Sequence, residues 1–476
     1  MTARAAHLLG VALLLGGCTV GPDYHPPAND QTPRHFSEPT APAPILGKEW
    51  WTILGDPVLD QLIADALKSS PDLAIAQTRI VEARAELAIA RAEELPEADA
   101  GATYKRQHGS ANVPVGTPPG GLGPNVGSNL FLAGFDASWE IDLFGGRRRA
   151  IESADAALDA VTAEQRDVEL SLVAEIARDY VELRTAQRRL DIVRELVDIR
   201  RDLLKLVSAR FDSGLAGALD TARARTELEA GEAELADLRA SEHAAIYRLG
   251  TLVGQAPEEL LPSLSPPRPI PVASKDVPVG LPSDLLKRRP DIRAAERRIA
   301  AANARIGVAE ADLYPHFALT GGAGFESLQQ NKFLVGPSRY FSVGPSVDWL
   351  IFDAGRVRDE ILAERARTDA AAARYRKIVL GALGEVETAL VIHAQSLAAK
   401  DSRGRELASA RQALDLARRL YEKGLEDYLA VLDAERTVHD SEMDLARTDQ
   451  ECTDSLVALI KALGGGWQDA EAERQP

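Results

Sequence analysis

The sequence predicts a mainly α-helical chain with a β-barrel part, built as two tandem repeats of helix, two strands, very long helix and shorter helix. Three observations carry this. SPDLAIAQTRIVEARAELAIARAEELP (70–96) reappears without a gap as RPDIRAAERRIAAANARIGVAEADLYP (289–315), and a duplication of that length is read before any single element. Long segments carry apolar residues at three-and-four spacing. Between them, each half holds a pair of short segments with a two-residue period.

The first helix of each half is expected at about 57–94 and 283–313, the long helices at 147–211 and 356–422, and the shorter ones at 218–253 and 428–463. Ile151, Ala154, Leu158, Val161, Val168 and Leu172 open a seam that Ile176, Leu183, Leu190, Val193, Val197 and Leu204 continue. That period belongs to coiled-coil-like packing. At 1.5 Å per residue a helix of roughly 65 residues is about 100 Å long, more than a globular domain needs. The two shorter helices of each half are therefore expected to stack end to end beside the long one.

The strands are read from alternation. Phe131, Ala133, Phe135, Ala137, Trp139, Ile141 and Leu143 alternate with Gly134, Asp136, Ser138, Glu140 and Asp142, and Phe341, Val343, Val347, Trp349 and Ile351 alternate with Ser342, Gly344, Ser346 and Asp348. Weaker partners lie at 98–108 and 316–328. One apolar and one polar face over about ten residues fits a membrane strand, and a half-buried soluble sheet shows the same pattern. The polar, Gly/Pro-rich loop 111–129 and the lack of further strands with which to build a core favour the membrane. Four strands cannot close in lipid, where open edges are not tolerated. Two copies would supply eight strands and three would supply twelve, and a conducting pore favours three.

The amino terminus reads as a secretory signal. Arg4 and His7 lead an apolar run from Leu8 to Leu15, too short to span a bilayer. Leu15-Gly16-Gly17-Cys18 then resembles a bacterial lipobox, with only 2 cysteines in the 476 residues. The expected boundaries are a signal peptide 1–17, an acylated extended segment 18–55, a first repeat 56–261 (strands 98–108 and 129–144), a Pro-rich linker 262–282, a second repeat 283–464 (strands 316–328 and 340–353) and a tail 465–476.

Composition excludes several functions. A net charge of −17 leaves no basic stripe for nucleic acid. Cys452, alone after cleavage, can make no internal disulfide. No later segment is expected to offer the long uncharged apolar run of a transmembrane helix. HExxH, GxSxG, P-loop and CxxC motifs are absent from the sequence, so neither an enzyme nor a cofactor or metal site is expected.

Together, CTVGPDYHPP, EWWTILGDPVLDQLI (49–63) and the paired RFDSGL (210–215) and YEKGLEDYLAVLDAERT (421–437) resemble the TolC-like outer-membrane efflux proteins, in their OprM- and NodT-type lipoprotein branch. The resemblance implies a homotrimer forming a 12-stranded transmembrane β-barrel continuous with a periplasmic α-helical barrel, with an equatorial belt formed by the linker and terminal segments. It also implies a periplasmic adaptor and an inner-membrane pump, often of the RND type, as partners, and export of small molecules. Cys18 would carry N-palmitoyl and S-diacylglycerol groups, and Thr19 lacks the aspartate that commonly retains lipoproteins in the inner membrane. A type I protein-secretion duct shares this fold, and a lipid-anchored coiled-coil spacer without a pore is a rival of another class.

Gly214 and Gly424 stand between helical patterns, where a reversal needs positive φ. By resemblance, Phe211, Gly214, Leu215, Tyr421, Gly424 and Leu425 lie where the adaptor docks. Leu429, Asp433 and Arg436 match the family's positions at a periplasmic gate, an apolar collar followed by an acidic ring. The first half departs from this pattern, with Leu219 at the apolar position and Arg223 in place of the aspartate.

Overall fold

The computed structural model describes residues 19–27, 36–37, 47, 49–108, 127–214, 216–271 and 288–465. The signal peptide, Cys18, Leu215, the loop 109–126, most of the linker and the tail beyond 465 lie outside these residues. The chain forms two compact units, one from Met1–Pro27, Val81–Val161 and Ala295–Tyr375, the other from Ala28–Ile80, Thr162–Ala294 and Arg376–Pro476.

In chain order the principal elements are α1 (Pro57–Ser69), α2 (Pro71–Ala92), β1 (Glu97–His108), β2 (Gly127–Ile141), α3 (Gly146–Asp212), α4 (Ala218–Val253), α5 (Pro290–Ala311), β3 (His316–Ser327), β4 (Arg339–Asp348), α6 (Arg356–Glu422) and α7 (Tyr428–Ala462). Short helical turns cover Trp50–Leu54 and Pro257–Leu264.

The first unit holds a four-stranded antiparallel sheet in the order β1-β2-β3-β4. Its central pair joins β2 to β3, which are far apart in sequence, with Phe135 opposite Ala323 and Trp139 opposite Leu319. The register sorts the faces, because side chains directly opposite one another share a face. Ala100, Phe135, Ala323 and Phe341 form one apolar row, and Ala137, Gly321 and Val343 the next. Asp136, Gly322 and Ser342 form a polar row on the reverse. Among the described residues nothing covers the apolar face: Phe135 is 68% exposed, Phe341 84% and Val343 73%. A half-buried soluble sheet would hide these side chains. Among the described residues β1 and β4 each lack an outer neighbour.

The segment after Cys18 is seated against the start of α3 and along α5. Arg149, almost fully buried, donates to the carbonyls of Val20 (3.0 Å) and Gly21 (3.1 Å) and to Asp23 (2.8 Å). Asn303 donates to Pro22 O at 2.8 Å and the Tyr24 hydroxyl to Glu296 at 2.6 Å. Gly307 makes room for this seat, since a Cβ there would stand 2.9 Å from Val20 O and 2.7 Å from Arg149 Cγ.

The second unit is helical. Its largest core joins Trp50, Trp51, Leu59 and Ile63 to Ile176, Tyr180 and Leu183 of α3, Ile246 and Leu249 of α4, and Leu456 of α7. Asp56 caps α1, accepting from Val58 N at 2.9 Å, and also accepts from the buried Tyr180 hydroxyl at 2.5 Å. The helix expected over 57–94 is in fact two. Ser70 is extended (φ −60°, ψ 128°) because the proline after it disfavours helical backbone. That break receives the end of α4: Ser69 Oγ donates to Val253 O at 2.7 Å, and a Cβ on Gly254 (φ 81°) would stand 2.4 Å from Ser69 O. At the other junction Arg289, just before α5, donates to Ala462 O at 3.1 Å, at the end of α7.

One further expectation is corrected. Strand β4 ends at Asp348 rather than 353, leaving Trp349 to Phe352 outside the sheet. One stretch of α6 is long and apolar enough to cross a membrane by length and composition, with a third of it buried. Glutamates punctuate it, so it is not an uncharged run. Glu385 pairs with Arg289 (2.7 Å), while Val386 and Leu390 pack with Leu459 and Leu463.

Candidate functional site: the helical hairpin tips

The second unit contains two helical hairpins, α3–α4 and α6–α7, and the residues singled out in the sequence cluster at their turns. Gly214 has φ 71° and Gly424 φ 70°, the left-handed conformation that ends a helix without a Cβ penalty. Gly214 N donates to Phe211 O at 2.9 Å, Gly424 N to Tyr421 O at 3.0 Å, and Leu425 N to Leu420 O at 2.9 Å. Open space surrounds both glycines, so backbone conformation rather than crowding selects them. Phe211 and Leu425 are 44% and 68% exposed.

After the second turn, Asp427 caps α7 by accepting from Ala430 N at 3.0 Å. Leu429 is 52% exposed, and Asp433 and Arg436 are exposed on the same helix. Arg436 lies 3.8 Å from Asp440, one turn further on, so its nearest carboxylate partner here is that residue. On the first hairpin Leu219 is 60% exposed and Arg223 is exposed. Each of these side chains is free to meet something outside the chain.

Beneath the turns the hairpins hold one another. Val207 of α3, Ala224 of α4 and Tyr428 of α7 form a buried cluster, with Tyr421 against it. Arg210 lies over the Tyr421 ring, 4.9 Å from its centre, a cation–π contact between hairpins. Arg418 donates to Glu435 at 2.8 Å. Burial pushes the Tyr428 hydroxyl well above its ordinary value. Sequence reasoning missed Glu435. Its signal was a charge at a seam position, following Tyr428 and Val431 at three-and-four spacing.

Higher on the same unit, a cavity of about 870 Å³ lies among α3, α6, α7 and the start of α5. Burial pushes the Asp454 carboxyl there up to about 6, with Arg178 opposing, and raises Asp167 and Asp179. Among the described residues no group of three or more His, Cys, Asp or Glu is placed to hold a metal ion.

The exposed turns leave apolar side chains open to contact from outside the chain. The sequence profile of the outer membrane efflux protein family matches residues 62–255 and 281–465. Nodulation protein T of Rhizobium leguminosarum bv. trifolii is 31% identical over 460 residues, 96% of either chain. The toluene efflux pump outer membrane protein TtgF of Pseudomonas putida is 32% identical over 489 residues, 98% of either chain. The solved outer-membrane channel OprN superposes with a TM-score of 0.86 at 37% identity, covering 95% of this chain and all of that one. With profile, relatives and fold in agreement over nearly its whole length, the chain belongs to the outer membrane efflux protein family.

Proposed function

We propose that the protein is the exit duct of a tripartite pump, passing small molecules from an inner-membrane transporter, through a periplasmic adaptor, to the exterior. The observation that carries this reading is the sheet. Among the described residues its apolar face is bare and both edges lack neighbours, a combination suited to lipid on one side and further copies at the edges. Three copies supply twelve strands and a lumen, whereas two supply a barrel that side chains fill. The helices would then continue the barrel as a periplasmic tube, with residues 56–261 and 283–464 as its two repeats and 262–282 as the linker in an equatorial belt.

Cys18, after a signal peptide of residues 1–17, would carry N-palmitoyl and S-diacylglycerol groups. The nearby residues Val20 to Tyr24 are held by Arg149, Asn303 and Glu296, which suits a fixed anchor point beside the sheet. The tips Phe211, Gly214, Leu215, Tyr421, Gly424 and Leu425 would receive the adaptor, and Leu429, Asp433 and Arg436 would line the gate. The toluene-pump and solvent-pump relatives support export of small apolar compounds over protein secretion. The test is cellular: deletion should raise accumulation of such compounds and leave secreted protein unchanged. The reverse pattern would favour a secretion duct.

A further inference from the structure

Charge is spread unevenly along the sheet. The chain carries a net −17, yet residues 100–135 hold Lys105 and Arg106 and no carboxylate. Residues 317–347 hold Lys332 and Arg339 against one acid, Glu326. Glu326 stands opposite Leu132, on the polar face. The end of the sheet that carries the two hairpin loops is therefore basic on an acidic protein.

The register shows which cations share the bare apolar face, because residues two apart on a strand point the same way. Arg106 pairs with Asn129, next on that face to the row of Tyr104, Phe131 and Ser327. Arg339 pairs with Phe325 on the same face, whereas Lys105 pairs with Leu130 on the reverse. Aromatic contacts bring the β3–β4 turn to this place: the Phe131 ring lies 4.9 Å from Tyr104 and 5.8 Å from Phe333. Lys332 precedes Phe333, and Leu334 beyond it is 69% exposed. Arg106, Lys332 and Arg339 are all exposed, and none has an ion-pair partner among the described residues.

An outward cation is costly at the middle of a bilayer and tolerated at its surface, where tyrosine also collects. Trp139 stands eight residues along β2 from Phe131, about 26 Å at strand rise, which is the scale of a barrel's apolar band. We propose that Arg106 and Lys332, flanking the cluster of Tyr104, Phe131 and Phe333, hold the phosphate of a lipid in the exterior leaflet. Its acyl chains would lie along the apolar rows. Arginine and phosphate form charge-assisted, often bidentate bonds, and the long stem of Arg339 lets its head reach toward the same level. That this face meets lipid rests on the exit-duct reading, while the preference for phosphate rests on the cations.

The experiment is equilibrium binding of the full chain, in dodecylmaltoside micelles, to a fluorescent diphosphorylated lipid A and to the same lipid without its phosphates. Wild type should hold the phosphorylated lipid about tenfold more tightly. Arg106→Ser with Lys332→Ser should bring the two lipids within about twofold of each other. Lys105→Ser removes the same charge from the reverse face and should leave the preference intact. Equal affinities in wild type would overturn the site, as would a loss in Lys105→Ser as large as in the double variant. Inorganic phosphate at the concentration of the lipid should not displace it, and displacement would overturn the lipid as occupant. Should the double variant fail to fold, Lys332→Ser alone, outside the strands, should still lose part of the preference, and an unchanged preference there would count against the site. Channel recording is a separate readout, so failure here would leave the exit-duct reading standing.

Discussion

The indole N–H of Trp139 donates to the backbone carbonyl of Glu94, 2.8 Å away. Trp349 makes the same contact with Leu313 at 3.2 Å. Glu94 and Leu313 each stand two residues before the prolines, Pro96 and Pro315, that align between the halves. Both carbonyls lie just past the end of a helix, where backbone acceptors have no intrahelical donor. Each tryptophan thus ties the strand region to the helix that precedes it. Replacing Trp139 and Trp349 together by Phe keeps most of the apolar bulk and removes both donors. The loss should be about 1 kcal/mol for each bond, read as a lower melting temperature of the detergent-solubilised protein. The single variants should each show part of that drop, and an unchanged melting temperature would mean that water replaces the indoles at no cost.

Acylation of Cys18 is tested by labelling. Radiolabelled palmitate should enter the wild-type protein and not Cys18→Ala. Equal incorporation into both would end the claim. The variant is still expected in the membrane, because its bare apolar sheet face supplies affinity of its own.

At the hairpin turns, Gly214→Trp and Gly424→Trp add a bulky side chain where φ is positive. Each should cost about 1–2 kcal/mol of local strain with no clash, since open space surrounds both positions. Assembly should survive while export falls to the level of the deletion strain. Export at wild-type rates in both variants would move the docking surface elsewhere.

Asp454 gives a pH dependence. Burial lifts its carboxyl from 3.8 to about 6, so between these values the folded state binds more protons than the unfolded one. Its contribution is therefore fully present below about pH 4 and is lost as pH rises through 6. Asp179, Glu182 and Arg178 face it, and Asp454→Asn removes the titrating group. Wild type minus Asp454→Asn should show stability falling across that window in denaturant unfolding. A flat difference would show that the carboxyl stays ionised.

Much of this was legible from residue pattern. Long helices announce themselves because an apolar seam repeats many times, and Gly214 and Gly424 because a reversal between helices needs a residue tolerant of positive φ. Strands were legible where apolar and polar residues alternate. The end of β4 was not, because Trp349, Leu350, Ile351 and Phe352 are apolar without a break and give no signal for where pairing stops. The break at Ser70 was hidden too, since the apolar spacing runs on through Leu73 and Ala76, both buried. The Arg210–Tyr421 contact depends on which helices meet, and no local pattern encodes that.

The most direct test is single-channel recording of the purified protein in planar bilayers, with wild type beside the double variant Leu429→Ala, Asp433→Ala. Both side chains are exposed just beyond the second turn, where three-fold symmetry would gather three acidic groups behind an apolar collar. Wild type should give small, cation-preferring steps, and the double variant much larger steps with less cation preference. Identical traces would place the gate elsewhere, and no steps from either protein would contradict the duct itself.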